Sequence, residues 1–143
     1  MKLNDKVESI MVERFGVDNV MALATICDGM PCVRYVNAYY ENGAFYIISH
    51  ELSNKMKQIN MDPKVGICGE WFSTQGNGVN LGYFGKENNK QIADKLREVF
   101  ASWIDNGHND FTDVHTCILK VELTKGTLFS HGERFNIEFR KKK

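Results

Sequence analysis

Arg34 and the triplet Ser53-Asn54-Lys55 have the types and spacing to hold an anion. Arg34 stands alone among apolar and aromatic neighbours in the β-like run Val33-Arg34-Tyr35-Val36-Asn37. The triplet directly precedes Met56-Lys57-Gln58-Ile59, which has the pattern of a helix. A helix start offers free backbone N–H groups and the positive end of the helix dipole, while an arginine and a lysine add charge and directional donors. That combination suits a phosphate group. Each residue also has an ordinary reading. A strand arginine can pair with a surface carboxylate, Ser53 can cap the helix, and Lys55 alone would be solvated. Capping and phosphate contact are compatible roles for Ser53, and it is the grouping that points to an anionic ligand.

The elements around these residues follow from periodicity and turn chemistry. Val7, Ile10, Met11 and Phe15 keep helical spacing and predict a short amphipathic helix that Gly16 ends. Residues 20–27 (VMALATIC) predict a buried strand, Asp28-Gly29 a hairpin turn, and residues 33–40 the returning strand. After a turn at Glu41-Asn42-Gly43, residues 44–49 predict a third strand. Residues 53–60 predict a short helix, stopped before Asp62-Pro63 because proline disfavours the helical region for its predecessor. Residues 65–72 and 79–84 predict two more strands, with residues 73–78 as a polar, glycine-rich loop between them. Residues 89–105 predict the longest helix, with Ile92, Leu96, Val99, Phe100, Trp103 and Ile104 along one face. Residues 116–124 and 127–130 predict strands joined at Lys125-Gly126. Phe135, Ile137 and Phe139 alternate with polar residues in a half-buried last strand. Six or seven strands with few helices predict a mainly β fold: a small antiparallel barrel with accessory helices, as a single domain over residues 1–143.

Bulk properties narrow the function. Lys plus Arg and Asp plus Glu are 18 each, so the formal net charge is zero. That argues against gripping nucleic acid by bulk electrostatics. No apolar run is long enough to span a bilayer and the start carries no apolar signal region, so a cytoplasmic location with no membrane partner is expected. The basic Arg140-Lys141-Lys142-Lys143 run reads as a solvated tail. Cys27, Cys32, Cys68 and Cys117 sit in β-like runs or beside a turn and read as reduced, small core residues. Cys27 and Cys32 flank a hairpin, but the reading as small core residues is favoured there over a redox pair or half a zinc site. No second ligand pair with zinc spacing accompanies them, so no metal is expected. His50 and His131 carry no assigned role. No nucleophile with a base and an orienting third group is evident.

In order and spacing, these residues resemble the pyridoxamine 5′-phosphate oxidase-like family of FMN-binding split barrels, over nearly the whole chain. Family members carry an arginine near the flavin on the strand after a hairpin turn, here Arg34. A strand ending in Thr or Ser follows, here at Ser49. Next comes Ser-x-Lys at a helix start, here Ser53-Asn54-Lys55. The helix ends in Asn-Pro or Asp-Pro before a short apolar strand, here Met61-Asp62-Pro63-Lys64-Val65-Gly66-Ile67-Cys68.

The resemblance implies an FMN flavoprotein, a homodimer with flavin at the subunit interface and a cofactor-driven oxidoreductase acting on a small molecule. It places Arg34, Ser53, Asn54 and Lys55 at the phosphate, and the backbone of Tyr35, Val36 and Asn37 at the ring. Ile48 and Ser49 line the flavin edge, while Trp71 and Asn77 reach the flavin of a neighbouring subunit. Two departures matter. Asn54 stands where the family often has Arg, and no Trp follows Trp103, which predicts that the substrate segment of the named oxidase is missing. Two alternatives remain open. One is a flavin-binding, stress-related module without turnover. The other is a relative that binds haem or a deazaflavin.

Overall fold

The computed structural model describes residues 4–139. The basic run from Arg140 lies outside them. Helix α1 spans Asp5–Phe15; Asn4 caps it by accepting from the Lys6 N–H at 2.8 Å, and Gly16 ends it. Strands β1 (Asn19–Cys27), β2 (Met30–Glu41) and β3 (Ala44–His50) follow as consecutive hairpins. Their turns carry positive φ at both central residues, 52° and 78° at Asp28-Gly29 and 48° and 79° at Asn42-Gly43. This is the geometry that matches strand twist in two-residue hairpins. Helix α2 (Asn54–Met61) comes next, then β4 (Lys64–Gly69), β5 (Phe72–Tyr83), helix α3 (Lys90–Val99), β6 (Thr116–Ser130) and β7 (Glu133–Glu138).

The antiparallel sheet runs β3-β2-β1-β4-β5-β6-β7, and β3 pairs with β6, closing six strands into a barrel with β7 outside it. Closure leaves no open edge among those six. Alternate residues of the strands fill the interior with Met21, Leu23, Phe45, Ile47, Ile67, Phe72, Leu119, Val121 and Leu123, and Met11 and Phe15 of α1 pack on this cluster. A second cluster lies between α3 with its following turns and the outside of the barrel, where Leu96, Phe100 and Ile104 meet Tyr39, Phe84 and Ile118. Both faces of the β6 stretch Thr116–Leu119 are therefore buried, which accounts for its unbroken apolar character.

Three expectations are corrected. Residues 73–78 are not a loop but the middle of β5, and the chain reverses earlier, at Glu70-Trp71. The glycines there serve close approach: a Cβ on Gly76 would lie 2.5 Å from the Glu122 carbonyl oxygen. Lys125-Gly126 is likewise no turn, because β6 runs through it. Gly126 faces the Ser73 carbonyl oxygen, which would be 2.7 Å from a Cβ. Finally, α3 ends at Val99. Beyond it the Trp103 and Ile104 N–H groups both bond the Phe100 carbonyl as separate turns, and the Trp103 indole N–H donates at 2.8 Å to Asp18, just before β1.

Candidate functional site

The expected anion-binding residues meet at one end of the barrel, beside α2. Arg34 and Thr25 project from the same face of the β1–β2 hairpin, because Arg34 stands opposite Leu23 and Thr25 opposite Cys32. Gln58 lies one turn beyond Lys55 on α2, so both share the face turned to that hairpin. Arg34 Nη1 donates to Thr25 Oγ1 at 2.8 Å, to the Leu23 carbonyl at 3.2 Å and to the Cys32 carbonyl at 3.3 Å. Its Nη2 donates to Gln58 Oε1 at 3.0 Å, and the Thr25 hydroxyl donates to the same oxygen at 2.5 Å. All the oxygens that hold the guanidinium are neutral, so the charge is oriented but not cancelled.

Lys55 sharpens this picture. Burial and the like charge of Arg34 push its ammonium below the ordinary lysine value of 10.5. The Lys55 ammonium makes no hydrogen bond or ion pair among the described residues. The nearby Cys117 thiol, pushed up to about 12 chiefly by burial, stays neutral and provides no counter-charge. Ser49 stands opposite Cys117 in the β3–β6 register. Its hydroxyl is buried and lacks a hydrogen-bond partner, a state that ordinarily costs about 1–3 kcal/mol. Two uncompensated cations and an orphaned hydroxyl therefore lie beside a helix start. Ser53 caps that helix, its hydroxyl accepting from the Met56 N–H at 3.4 Å. The amides of Asn54 and Lys55 precede the first intrahelical donor, Lys57, and have no acceptor within the helix.

The other expected residues fall in different places. Tyr35 is 80 % exposed on the outer face of β2, whereas Val36 is buried in the core. The Asn37 amide donates to Asp18 at 3.0 Å. Ile48 points away from Ser49 and packs against the α3 cluster. Asn54 is exposed at the first position of α2. Asn77 stands on β5 opposite Lys64 and Glu122. Trp71 is 65 % exposed at the β4–β5 turn, at the end of β4 remote from α2, with its ring 6.4 Å from that of Phe129. Thr25 and Gln58 complete the site although sequence reasoning does not single them out. The signals were available: a lone hydroxyl inside the apolar run VMALATIC, and an amide one helical turn after Lys55.

His50 belongs to a separate cluster. Its Nδ1 accepts from the Leu52 N–H at 3.2 Å, so Nε2 carries the proton and donates to Asp113 at 2.9 Å. His115 donates to Glu51 at 3.3 Å, and Asn80 donates to the other Glu51 oxygen at 2.7 Å. These bonds hold the Glu51 and Asp113 carboxyls below the usual range, through Asn80 for Glu51 and the His115 backbone N–H for Asp113. The cluster ties the turn before α2 to the segment preceding β6. Among the described residues, no group of three His, Cys, Asp or Glu side chains is placed to hold a metal.

A closed six-strand antiparallel barrel with an added strand is a split barrel. The sequence profile of the pyridoxamine 5′-phosphate oxidase family matches residues 11–125, and the chain belongs to that family. No curated protein matches the chain. Solved structures share the fold. An FAD-binding protein from Mesorhizobium loti is 16 % identical with a TM-score of 0.66, over 87 % of this chain and 94 % of that one. General Stress Protein 26 from Bacillus anthracis is 12 % identical with a TM-score of 0.66, over 92 % and 98 %. HutZ, a haem storage protein from Vibrio cholerae, is 15 % identical with a TM-score of 0.61, over 86 % and 91 %.

Proposed function

We propose that this protein binds FMN and acts as a homodimeric, flavin-dependent oxidoreductase on a small molecule. The observation that carries the proposal is the pair of uncompensated cations, Arg34 and Lys55, beside the α2 start and the orphaned Ser49 hydroxyl. A phosphate supplies the missing counter-charge and accepts from the idle donors. Arg34, Ser53, Lys55 and the first amides of α2 would hold it, with Thr25 and Gln58 orienting the guanidinium. The backbone of Tyr35, Val36 and Asn37, with Ser49, would border the ring, whereas Ile48 lies on the opposite face against α3. FMN, when bound, supplies two-electron redox chemistry, while the protein sets position, solvent access and polarity.

Assembly as a dimer is supported by the outer face of β1 and β2. Val20, Val33 and Tyr35 are 65, 65 and 80 % exposed there, on one side of the hairpin with Ala22 and Ala24 between them. Such a contiguous apolar surface calls for a partner. Trp71 lies too far along β4 to serve its own chain's anion site, which fits a role toward a neighbouring subunit. A haem reading finds less support at His50, because both of its ring nitrogens are already bonded.

The test is the visible spectrum of the purified protein after FMN addition, with sedimentation of the loaded species. Flavin absorbance cosedimenting with a dimer is expected. A Soret band in place of flavin bands, or a loaded monomer at micromolar concentration, would contradict the proposal.

A further inference from the structure

The β1–β2 hairpin carries a second reactive group beside the anion site. Cys32 stands opposite Thr25 and Cys27 opposite Met30, so Thr25, Cys27, Cys32 and Arg34 project from one face. The two cysteines are diagonal neighbours across the strands. Both are half-buried, so solvent reaches them. The remaining thiols stand apart: Cys117 is fully buried, and Cys68 lies on the outer face opposite Ala22. Arg34 Nη1 holds the Cys32 carbonyl at 3.3 Å and the Thr25 hydroxyl at 2.8 Å, so the backbone of one cysteine is part of the clamp that orients the cation.

We propose that Cys27 and Cys32 form a reversible dithiol–disulfide pair whose oxidation loosens the anion site at Arg34. Diagonal positions hold their Cα atoms about 7–8 Å apart. A disulfide needs about 4.4–6.8 Å. Closing the bond must therefore tighten the hairpin end, and that movement acts on the Cys32 carbonyl and Thr25, both ligands of Arg34. The oxidant is a low-molecular-weight disulfide. One cysteine thiolate attacks it, forming a mixed disulfide and releasing one small thiol. The second cysteine attacks the mixed disulfide, closing the Cys27–Cys32 bond and releasing the other. Two cysteine thiols are oxidised, one external disulfide is reduced to two thiols, and the cysteine protons end on them. Burial and the neighbouring Asp28 carboxylate push the Cys27 thiol up, which makes Cys27 a poor first nucleophile. Linkage is reciprocal: an anion bound at Arg34 holds the pair reduced.

Only the effect on ligand affinity rests on the FMN reading, so the thiols are mapped first in ligand-free protein. The Cys68→Ser variant, which removes the exposed thiol, is equilibrated in glutathione buffers of rising oxidised fraction. Peptide mapping by mass is expected to find the loss of two hydrogens on linked Cys27 and Cys32 peptides, reversed by reductant. FMN titration of the two forms is expected to show affinity reduced about fivefold or more in the oxidised one, with Cys27→Ser unresponsive to oxidant. Glutathione adducts without an internal bond, or a Cys27–Cys32 bond that leaves affinity for FMN unchanged, would overturn the proposal. If neither form binds FMN while the bond still forms reversibly, the reading of Arg34 as a flavin phosphate ligand fails and the coupling fails with it. An absent bond in protein that binds FMN sinks the proposal alone.

Discussion

Replacing Lys55 by methionine separates ligand binding from folding. Methionine keeps an unbranched stem of similar length and removes the charge. In the ligand-free protein that charge is half-buried, faces Arg34 and has no partner among the described residues, so its removal relieves desolvation and repulsion together. The ligand-free variant is therefore expected to melt at or above the parent temperature. Binding should move the other way. The variant forfeits one charge-assisted bond to phosphate, worth about 1.5–3 kcal/mol, which is about ten- to a hundredfold in affinity. Riboflavin has no phosphate, so the variant should bind it as the parent does. The assay is flavin fluorescence titration with FMN and riboflavin, beside thermal melts without ligand. Unchanged FMN affinity with a normal melt would refute the argument, because the phosphate would then lie elsewhere. A sharply lowered melt would show that Lys55 has a stabilising partner.

Other outcomes follow from the same geometry. Gln58→Leu removes the acceptor of both Arg34 Nη2 and the Thr25 hydroxyl; denaturant melts should show a loss of about 1–3 kcal/mol, and titration a weaker hold on FMN. Gly76→Ala forces a Cβ against the Glu122 carbonyl and should cost about 1–3 kcal/mol in a urea melt. Because the folded pKa of Lys55 is lowered, the folded chain sheds this proton before the unfolded one does. This group's contribution to stability therefore rises as pH climbs through the lowered pKa toward 10.5, and the parent should gain on Lys55→Met over that window. FMN affinity should fall across the same window, and a parallel pH series of melts and titrations reads both.

The legible parts of the fold were those whose signal is local. Asp28-Gly29 and Asn42-Gly43 announce their turns because positive φ at both positions favours Asn, Asp and Gly. The apolar face of α3 shows at its own period. The β4–β5 hairpin was hidden because a tryptophan occupies a glycine-like conformation: Trp71 has φ 60°, which bulky residues rarely adopt. Long-range contacts hold it there. Arg14 donates to the Glu70 and Phe129 carbonyls on either side, and no local pattern announces that. Gly76 and Gly126 were misread for a related reason. Glycine usually marks a turn, but here it makes room for a neighbouring strand. At the site, Arg34 and Lys55 could be named by charge and by the helix that follows. Thr25 and Gln58 were not, because a neutral side chain shows its role only when the fold brings a cation to it.

The central claim is that Arg34, Lys55 and the start of α2 hold a phosphate. Parallel equilibrium titration of the ligand-free protein with FMN and with riboflavin tests it most directly, since the two ligands share the ring and differ in that group. Two charge-assisted contacts at about 1.5–3 kcal/mol each, not fully additive, predict that FMN binds more tightly by at least about a hundredfold. Equal affinity for the two flavins, or binding of neither, would contradict the account.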